Sequence, residues 1–242
     1  MSAIIRRWIL LGPANGLKTE IVMRCLLLNP IIKKRPFVFV CESEQGCAVD
    51  YARNNGIEVL HVEDRLFKTE ASRRMLDSID AELLVVCGWN YIVPRNVFER
   101  FPFPCLNCHS SLLPDYKGQC AYLHQWANCE EEYGVTIHIL EEKLDEGCML
   151  LQNRMKLYLR ENLVMMHRRV SEATGLLLPQ ALLLLEQGYR GAPYDQSAIS
   201  RYFHKITPYK AKAYRVLNRF ARLLNLPPFL TPHNSSQHDS IL

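Results

Sequence analysis

Three polar residues carry the chemistry this sequence could perform. Asn107 and His109 lie two apart in Cys105-Leu-Asn-Cys-His-Ser-Ser-Leu-Leu-Pro-Asp-Tyr-Lys-Gly118, and Asp145 follows in Glu141-Glu-Lys-Leu-Asp-Glu-Gly147. A spacing of two at the end of a predicted strand points both side chains the same way. An amide and an imidazole so placed can hold a developing oxyanion. A nearby carboxylate can orient or charge the histidine, or receive a proton.

Those residues need elements to position them. Apolar runs at 8–11, 37–41, 58–62, 83–87 and 105–107 read as strands, unbroken in apolar character as strands covered on both faces should be. Helical stretches at 17–28, 46–55, 70–79 and 95–100 lie between them. The alternation predicts an α/β fold, a Rossmann-like domain with a mostly parallel sheet and right-handed crossovers. Open sheets of this kind place ligands at the carboxyl ends of their strands, which is where Asn107 and His109 fall. Beyond them, 118–128 reads as helix, 134–140 and 149–157 as strands, and 161–187 as a long helix kinked or broken at Pro179. After Gly188 the chain reads as irregular, apart from a helix over 211–224 with one apolar stripe of Ala213, Val216, Leu217, Phe220, Leu223 and Leu224. Residues 227–242, polar with three prolines, read as frayed. The expected division is a catalytic domain over 1–190 and a short extension over 191–242 with one amphipathic helix and a flexible tail.

With 242 residues, 48% hydrophobic and 22% charged, the chain can bury a sizeable core. A net charge of +4 is too mild to argue for nucleic acid. No run approaches the roughly 20 apolar residues that span a bilayer, and the run after the basic N-terminal residues is too short for a signal peptide. The protein is expected to stay in the cytoplasm, away from membranes, with its nine cysteines as mostly buried free thiols.

Asn-Cys-His-Ser-Ser-Leu-Leu-Pro followed by Tyr-Lys-Gly, then Tyr-Gly-Val-Thr-Ile-His and Leu-Asp-Glu-Gly, resembles the folate-dependent formyltransferases. That family's pattern is Asn-x-His-Pro-Ser-Leu-Leu-Pro, an Arg- or Lys-Gly, Gly-Val-Thr, then Asp-x-Gly, and the likeness is firmest over 83–152. The resemblance implies N10-formyltetrahydrofolate as co-substrate and a one-carbon group transferase. It implies that Asn107 and His109 stabilise the oxyanion when an unprotonated amine attacks the formyl carbon. Asp145 would hold His109 and accept the amine's proton. By the same likeness Trp89, Asn90, Tyr91, Ile92 and Val93 grip one side of the pterin, and Glu141, Glu142 and Leu144 close the other. Gly12, Asn15, Ser111, Lys117 and Gly118 are the residues expected near the amine substrate. Two departures stand out: Ser110 where proline is usual, and Cys120 where many members have Ala or Pro.

Blander readings compete. Cys105-Leu-Asn-Cys-His109 spells the c-type haem signature, but it ends a buried strand and no export signal precedes it. Zinc lacks a second ligand pair, so neither haem nor metal is expected. Gly12-Pro-Ala-Asn-Gly16 could bind phosphate at a helix start, or simply turn the chain. His124 and His167 are read as structural or exposed. So is His138, unless the strand leading to Asp145 recruits it. The basic residues from Lys205 to Arg222 read as a solvated helix face.

The acceptor follows by elimination. The chain has no room for the further barrel domain of initiator-tRNA formyltransferases. The first strand starts too early for the regulatory domain of the hydrolases. Gly12–Gly16 matches poorly the Gly-Ser-rich loop of glycinamide ribonucleotide formyltransferases. A nucleotide-linked amino sugar is the expected acceptor, as in the sugar N-formyltransferases, with glycinamide ribonucleotide as the alternative. A degenerate folate-binding or scaffolding protein is a third reading, disfavoured because all three catalytic residues are present. A homodimer is compatible with the apolar stripe, which could otherwise pack within the chain.

Overall fold

The unbroken apolar runs become the centre of a seven-stranded sheet. In the computed structural model, which describes residues 4–194 and 201–234, β1 (Trp8–Leu11), β2 (Phe37–Cys41), β3 (Val59–His61), β4 (Leu83–Val86) and β5 (Leu106–His109) run parallel. They are joined through α1 (Leu17–Leu28), α2 (Pro30–Lys33), α3 (Cys47–Asn54), α4 (Glu70–Asp77) and α5 (Arg95–Phe98). The sheet order is β3-β2-β1-β4-β5-β7-β8, where β7 (Glu132–Ile139) and β8 (Met149–Lys156) complete it antiparallel. One sheet face packs on α1, α3 and the long α7 (Leu163–Glu186), burying Trp8, Leu10, Phe39, Val85 and Leu106. The opposite face buries Ile9, Leu11, Val40, Leu84 and Val86. Coverage on both sides is why these strands could carry no alternating polar residues.

Several elements depart from expectation. The predicted 118–128 helix splits into a two-residue strand, β6 (Lys117–Gly118), and a shorter α6 (Ala121–Ala127). Helix α7 runs through Pro179 without a break. Its residues on both sides of the proline are locked into cores, Met166 and Val170 on one side and Leu182 and Leu185 on the other. That packing outweighs the roughly 3 kcal/mol that proline costs inside a helix.

The stretch after Gly188 is also more ordered than its composition suggests. β9 (Tyr202–Phe203) lies parallel to β6 and antiparallel to β10 (His233–Asn234), forming a small second sheet. Residues 227–230 stay exposed, yet the segment is tied down rather than frayed: the Phe229 N–H donates to Asn218 Oδ1, and Thr231 is fully buried, its N–H donating to Asn128 Oδ1. The expected tail over 235–242 and part of the 191–242 extension, 195–200, lie outside the described residues.

The largest surprise is α8 (Pro208–Leu223). Its apolar stripe faces outward, with Leu223 78% and Phe220 61% exposed. The buried face is instead Ala211, Arg215, Asn218 and Ala221. Arg215 donates to the Trp126, Leu159 and Glu161 carbonyls and lies 4.4 Å over the Trp126 ring. Asn218 donates to the Ala127 carbonyl. The helix docks on the carbonyl-rich carboxyl end of α6, which demands hydrogen-bond donors rather than apolar side chains. Among the described residues nothing therefore covers the stripe.

Candidate active site

The strand ends open onto a cavity of about 560 Å³, within the usual range for a small-molecule site. Asn107, His109 and Asp145 all line it, as do Lys18, Trp89 and His167. Asn107 and His109 reach it from the last turn of β5. Asp145 arrives from the loop after β7, in the left-handed region at φ 54°. Two glycines make that arrangement possible. A Cβ on Gly147 would stand 1.9 Å from the Ile139 carbonyl oxygen, so only glycine lets this loop fold back on β7. Gly118, at φ +95°, would bring a Cβ within 2.5 Å of the Phe203 carbonyl oxygen, and its N–H donates to Asp145 Oδ2 at 2.8 Å.

Strand register adds a fourth member. β7 pairs with β5 so that His138 stands opposite Asn107. His138 is 1% exposed, and its Nδ1 lies 2.8 Å from the Ile139 carbonyl oxygen. A carbonyl accepts only, so Nδ1 carries the hydrogen and Nε2 presents a lone pair. Asn107 Nδ2 donates to that lone pair at 3.1 Å and to Asp145 Oδ1 at 3.1 Å. A flipped amide would set an oxygen against both acceptors, which fixes its orientation. Both N–H groups of Asn107 are thus committed, and Oδ1 is the atom left with hydrogen-bonding capacity. The sequence reading had given Asn107 a donor role toward an oxyanion, and this bonding gives it none to spare.

His109 mirrors His138. Its Nε2 lies 2.8 Å from the Tyr116 carbonyl oxygen and so carries the hydrogen, leaving a lone pair on Nδ1, 3.4 Å from Asp145 Oδ1. Burial lowers the His109 pKa, and the Asp145 carboxylate offsets that only in part, so the ring is neutral near pH 7. Burial opposes the charge on Asp145. A proton on the His109 or His138 ring beside it, together with the Gly118 N–H, outweighs that and holds its pKa at about 2. The arrangement is an ionised carboxylate beside a neutral imidazole with a free lone pair, a site able to take up one proton and stabilise the resulting imidazolium.

The other expected residues divide. Asn90, Tyr91, Ile92 and Leu144 line the cavity with Trp89, while Val93 is buried in the core behind it. Glu141 and Glu142 are exposed and outside the lining, Glu142 pairing with Arg95 at 3.3 Å. Asn15 and Gly118 line the cavity, and Gly12 does not. A Cβ on Gly12 would meet Thr19 Oγ1 at 2.7 Å and the Cys87 carbonyl oxygen at 2.9 Å, so its role is close packing. Ser111 and Lys117 are buried away from it. Ser111 Oγ donates to the Asp115 carbonyl, and Lys117 Nζ donates to Glu146 Oε1 at 3.0 Å. Of the other histidines, His124 is structural, bonded to Thr231 and the His204 carbonyl, whereas His167 lines the cavity, stacked on Tyr122 at 4.6 Å. Lys18 was missed altogether, because nothing in the local pattern of α1 marks it. Among the described residues no group of three or more His, Cys, Asp or Glu is arranged to hold a metal, and no helix is long and apolar enough to cross a membrane.

A family model described as formyl transferase matches residues 30–182. A methionyl-tRNA formyltransferase of Hahella chejuensis is 30% identical over 146 residues, 60% of this chain and 46% of that protein. That of Paracidovorax citrulli is 31% identical over 167 residues, 69% of this chain and 49% of the relative. The chain thus spans about half the length of the curated relatives it matches. Among solved structures, phosphoribosylglycinamide formyltransferase of Anaplasma phagocytophilum aligns at TM-score 0.65 and 19% identity, covering 77% of this chain and 89% of that one. A sugar N-formyltransferase from a Shewanella species aligns at TM-score 0.61 and 18% identity, covering 88% and 87%. These two likenesses show the fold.

Proposed function

The chain belongs to the formyl transferase family, and from that premise we propose that it transfers a formyl group from N10-formyltetrahydrofolate to the amine of a nucleotide-linked amino sugar. The observation that carries the chemistry is the set of Asn107, His109 and Asp145 at the cavity, backed by His138, with an ionised carboxylate beside the His109 ring.

The residues fit the donor. Trp89 Nε1 is buried and has no partner among the described residues, an unused N–H in the segment that lines one side of the cavity with Asn90, Tyr91 and Ile92. These residues and Leu144 would hold the pterin. When bound, the donor supplies a formyl carbon open to attack by a neutral amine.

Asn107 orients the nucleophile: its free Oδ1 accepts one N–H of the amine, leaving the nitrogen lone pair aimed away from the amide. His109 receives the proton shed as the new C–N bond forms, on the Nδ1 lone pair. Asp145 stabilises the imidazolium from 3.4 Å, and that cation faces the negative charge growing on the formyl oxygen. The same proton returns to the departing nitrogen of the donor, so the residues end as they began.

The amino-sugar acceptor rests on the Gly12–Gly16 turn, whose sequence lacks the serine hydroxyls of a phosphate loop, and on the extent of the chain that the sugar enzyme's fold covers. Incubation with N10-formyltetrahydrofolate and a panel of nucleotide-linked amino sugars, followed by mass spectrometry of the amine, tests the reading. Turnover of glycinamide ribonucleotide alone would move the protein to purine synthesis. Folate binding with no amine accepted would leave a binding protein.

A further inference from the structure

Lys18 enters the cavity from the first turn of α1 and is 7% exposed. Its Nζ donates to the Cys108 carbonyl at 2.6 Å and to Ser110 Oγ at 2.8 Å. Both acceptors are neutral, and among the described residues no carboxylate lies within ion-pair distance of it. An ammonium has three N–H donors, so one is left without a partner among the described residues. A buried cation held only by neutral oxygens is expensive to keep. Its field also spans the site. After burial, the Lys18 charge is the next cause holding the His167 pKa at about 4, and it contributes to the lowering at His109.

Ser110 sharpens the point. The serine at this position brings a side-chain oxygen that accepts from the lysine. This chain therefore supplies both the cation and the hydroxyl that aims it. The two sit beside the Cys108 carbonyl, between Asn107 and His109, and so next to the place where the acceptor amine must lie.

We propose that Lys18 and Ser110 form an anion subsite that takes a carboxylate or phosphoryl oxygen carried by the acceptor close to its reacting amine. The inference rests on the reading of this cavity as the acceptor site, and it narrows the acceptor to amines bearing an anionic group. The ligand's oxygen accepts the third N–H of Lys18, and its charge neutralises the buried ammonium. The site thus favours anionic acceptors over neutral ones of equal size.

The test needs no turnover, so its failure is separable from failure of the formyl-transfer reading. Inorganic phosphate and, separately, acetate are titrated into the wild-type protein and into Lys18→Met, with sodium chloride matched for ionic strength. Melting temperature and calorimetric binding are followed, and circular dichroism checks the fold. One or both anions should raise the wild-type melting temperature as bound ligand stabilises the native state. In Lys18→Met that binding should weaken at least tenfold, while the free variant melts no lower than wild type because a buried uncompensated charge has been removed. Binding of phosphate alone would assign a phosphoryl group, and of acetate alone a carboxylate. Equal binding by both proteins, or by neither, would overturn the subsite. A variant that binds the anions normally yet loses turnover would also overturn it, placing Lys18 at the transition state. Should Lys18→Met melt well below wild type, Lys18→Gln, which keeps two N–H donors for Cys108 and Ser110, decides: it must fold and still lose the anions.

Discussion

Replacing His138 by phenylalanine isolates the lone pair that orients Asn107. The ring is buried and makes two polar contacts, Nδ1–H to the Ile139 carbonyl and Nε2 to Asn107 Nδ2 at 3.1 Å. Phenylalanine keeps the aromatic bulk and removes both. Losing a neutral acceptor and leaving a half-buried N–H unpaired costs on the order of 1–3 kcal/mol. The amide does not swing freely, because its second N–H still donates to Asp145 Oδ1 at 3.1 Å, and an inverted amide would place oxygen against that carboxylate. The part of this loss that reaches the transition state, roughly 1–2 kcal/mol, is about a fivefold to thirtyfold fall in kcat. The KM for the amine should move less, since the contact matters most as the nucleophile is aligned.

Steady-state kinetics with the accepted amine, alongside folate binding by fluorescence quenching, read the split. His138→Gln is the control: its side-chain carbonyl can accept from Asn107, and kcat should recover to within about threefold of wild type, a small residue of the net worth of one hydrogen bond. A phenylalanine variant with kcat within twofold of wild type would refute the orientation argument. Equal losses in the two variants would do so as well, by showing that the ring is structural.

Other outcomes follow from the same geometry. Asp145→Ala and His109→Asn should each lower kcat by a hundredfold or more, with the far-ultraviolet spectrum unchanged; near-normal kinetics in either would remove it from the proton path. Arg215→Ala strips donors from two buried carbonyls and the part-buried one of Leu159, and packing from Trp126, so urea denaturation should show a loss of about 3 kcal/mol. Phe220→Ser on the exposed face of α8 should stay within about 0.5 kcal/mol of wild type, and a larger loss would mean the stripe is covered. Burial holds the His124 pKa at about 4, below its ordinary 6.5, so the native state resists a proton the unfolded chain accepts. Stability is then complete above about pH 6.5 and declines as pH falls toward 4, by up to about 3 kcal/mol, a slope that His124→Gln should flatten in pH-resolved melts.

What the sequence made legible has a physical pattern. β1, β2 and β4 announced themselves because strands buried on both faces cannot carry polar residues, and Asn107-x-His109 could be placed because alternation fixes side-chain direction. β9 and β10 were invisible, since two-residue strands are too short for any period to register. The α8 face was misread for a better reason: amphipathicity tells which face is apolar, and it is silent about a docking surface made of carbonyl oxygens that wants Arg215 and Asn218. Lys18 escaped, and His138 stood out only through the strand that leads to Asp145, because their partners are set by sheet register and helix placement across 31 and 90 residues of sequence.

The two histidines show how the fold prepares chemistry without a dedicated motif. Each ring surrenders one nitrogen to a backbone carbonyl, Tyr116 for His109 and Ile139 for His138, and the carbonyls thereby choose which nitrogen keeps its lone pair. The tautomers come out opposite, Nε2–H on one and Nδ1–H on the other, so that one lone pair faces Asp145 and the other faces Asn107. Asp145 can serve both because its loop is held in a left-handed turn, a conformation that costs a non-glycine residue on the order of 1–3 kcal/mol. The Tyr194 hydroxyl on its carbonyl and the Gly118 N–H on its carboxylate hold it there. Loosening either contact should lower activity before it lowers stability, because the strain released on relaxation partly offsets the bond lost, whereas the proton site exists only in the strained form.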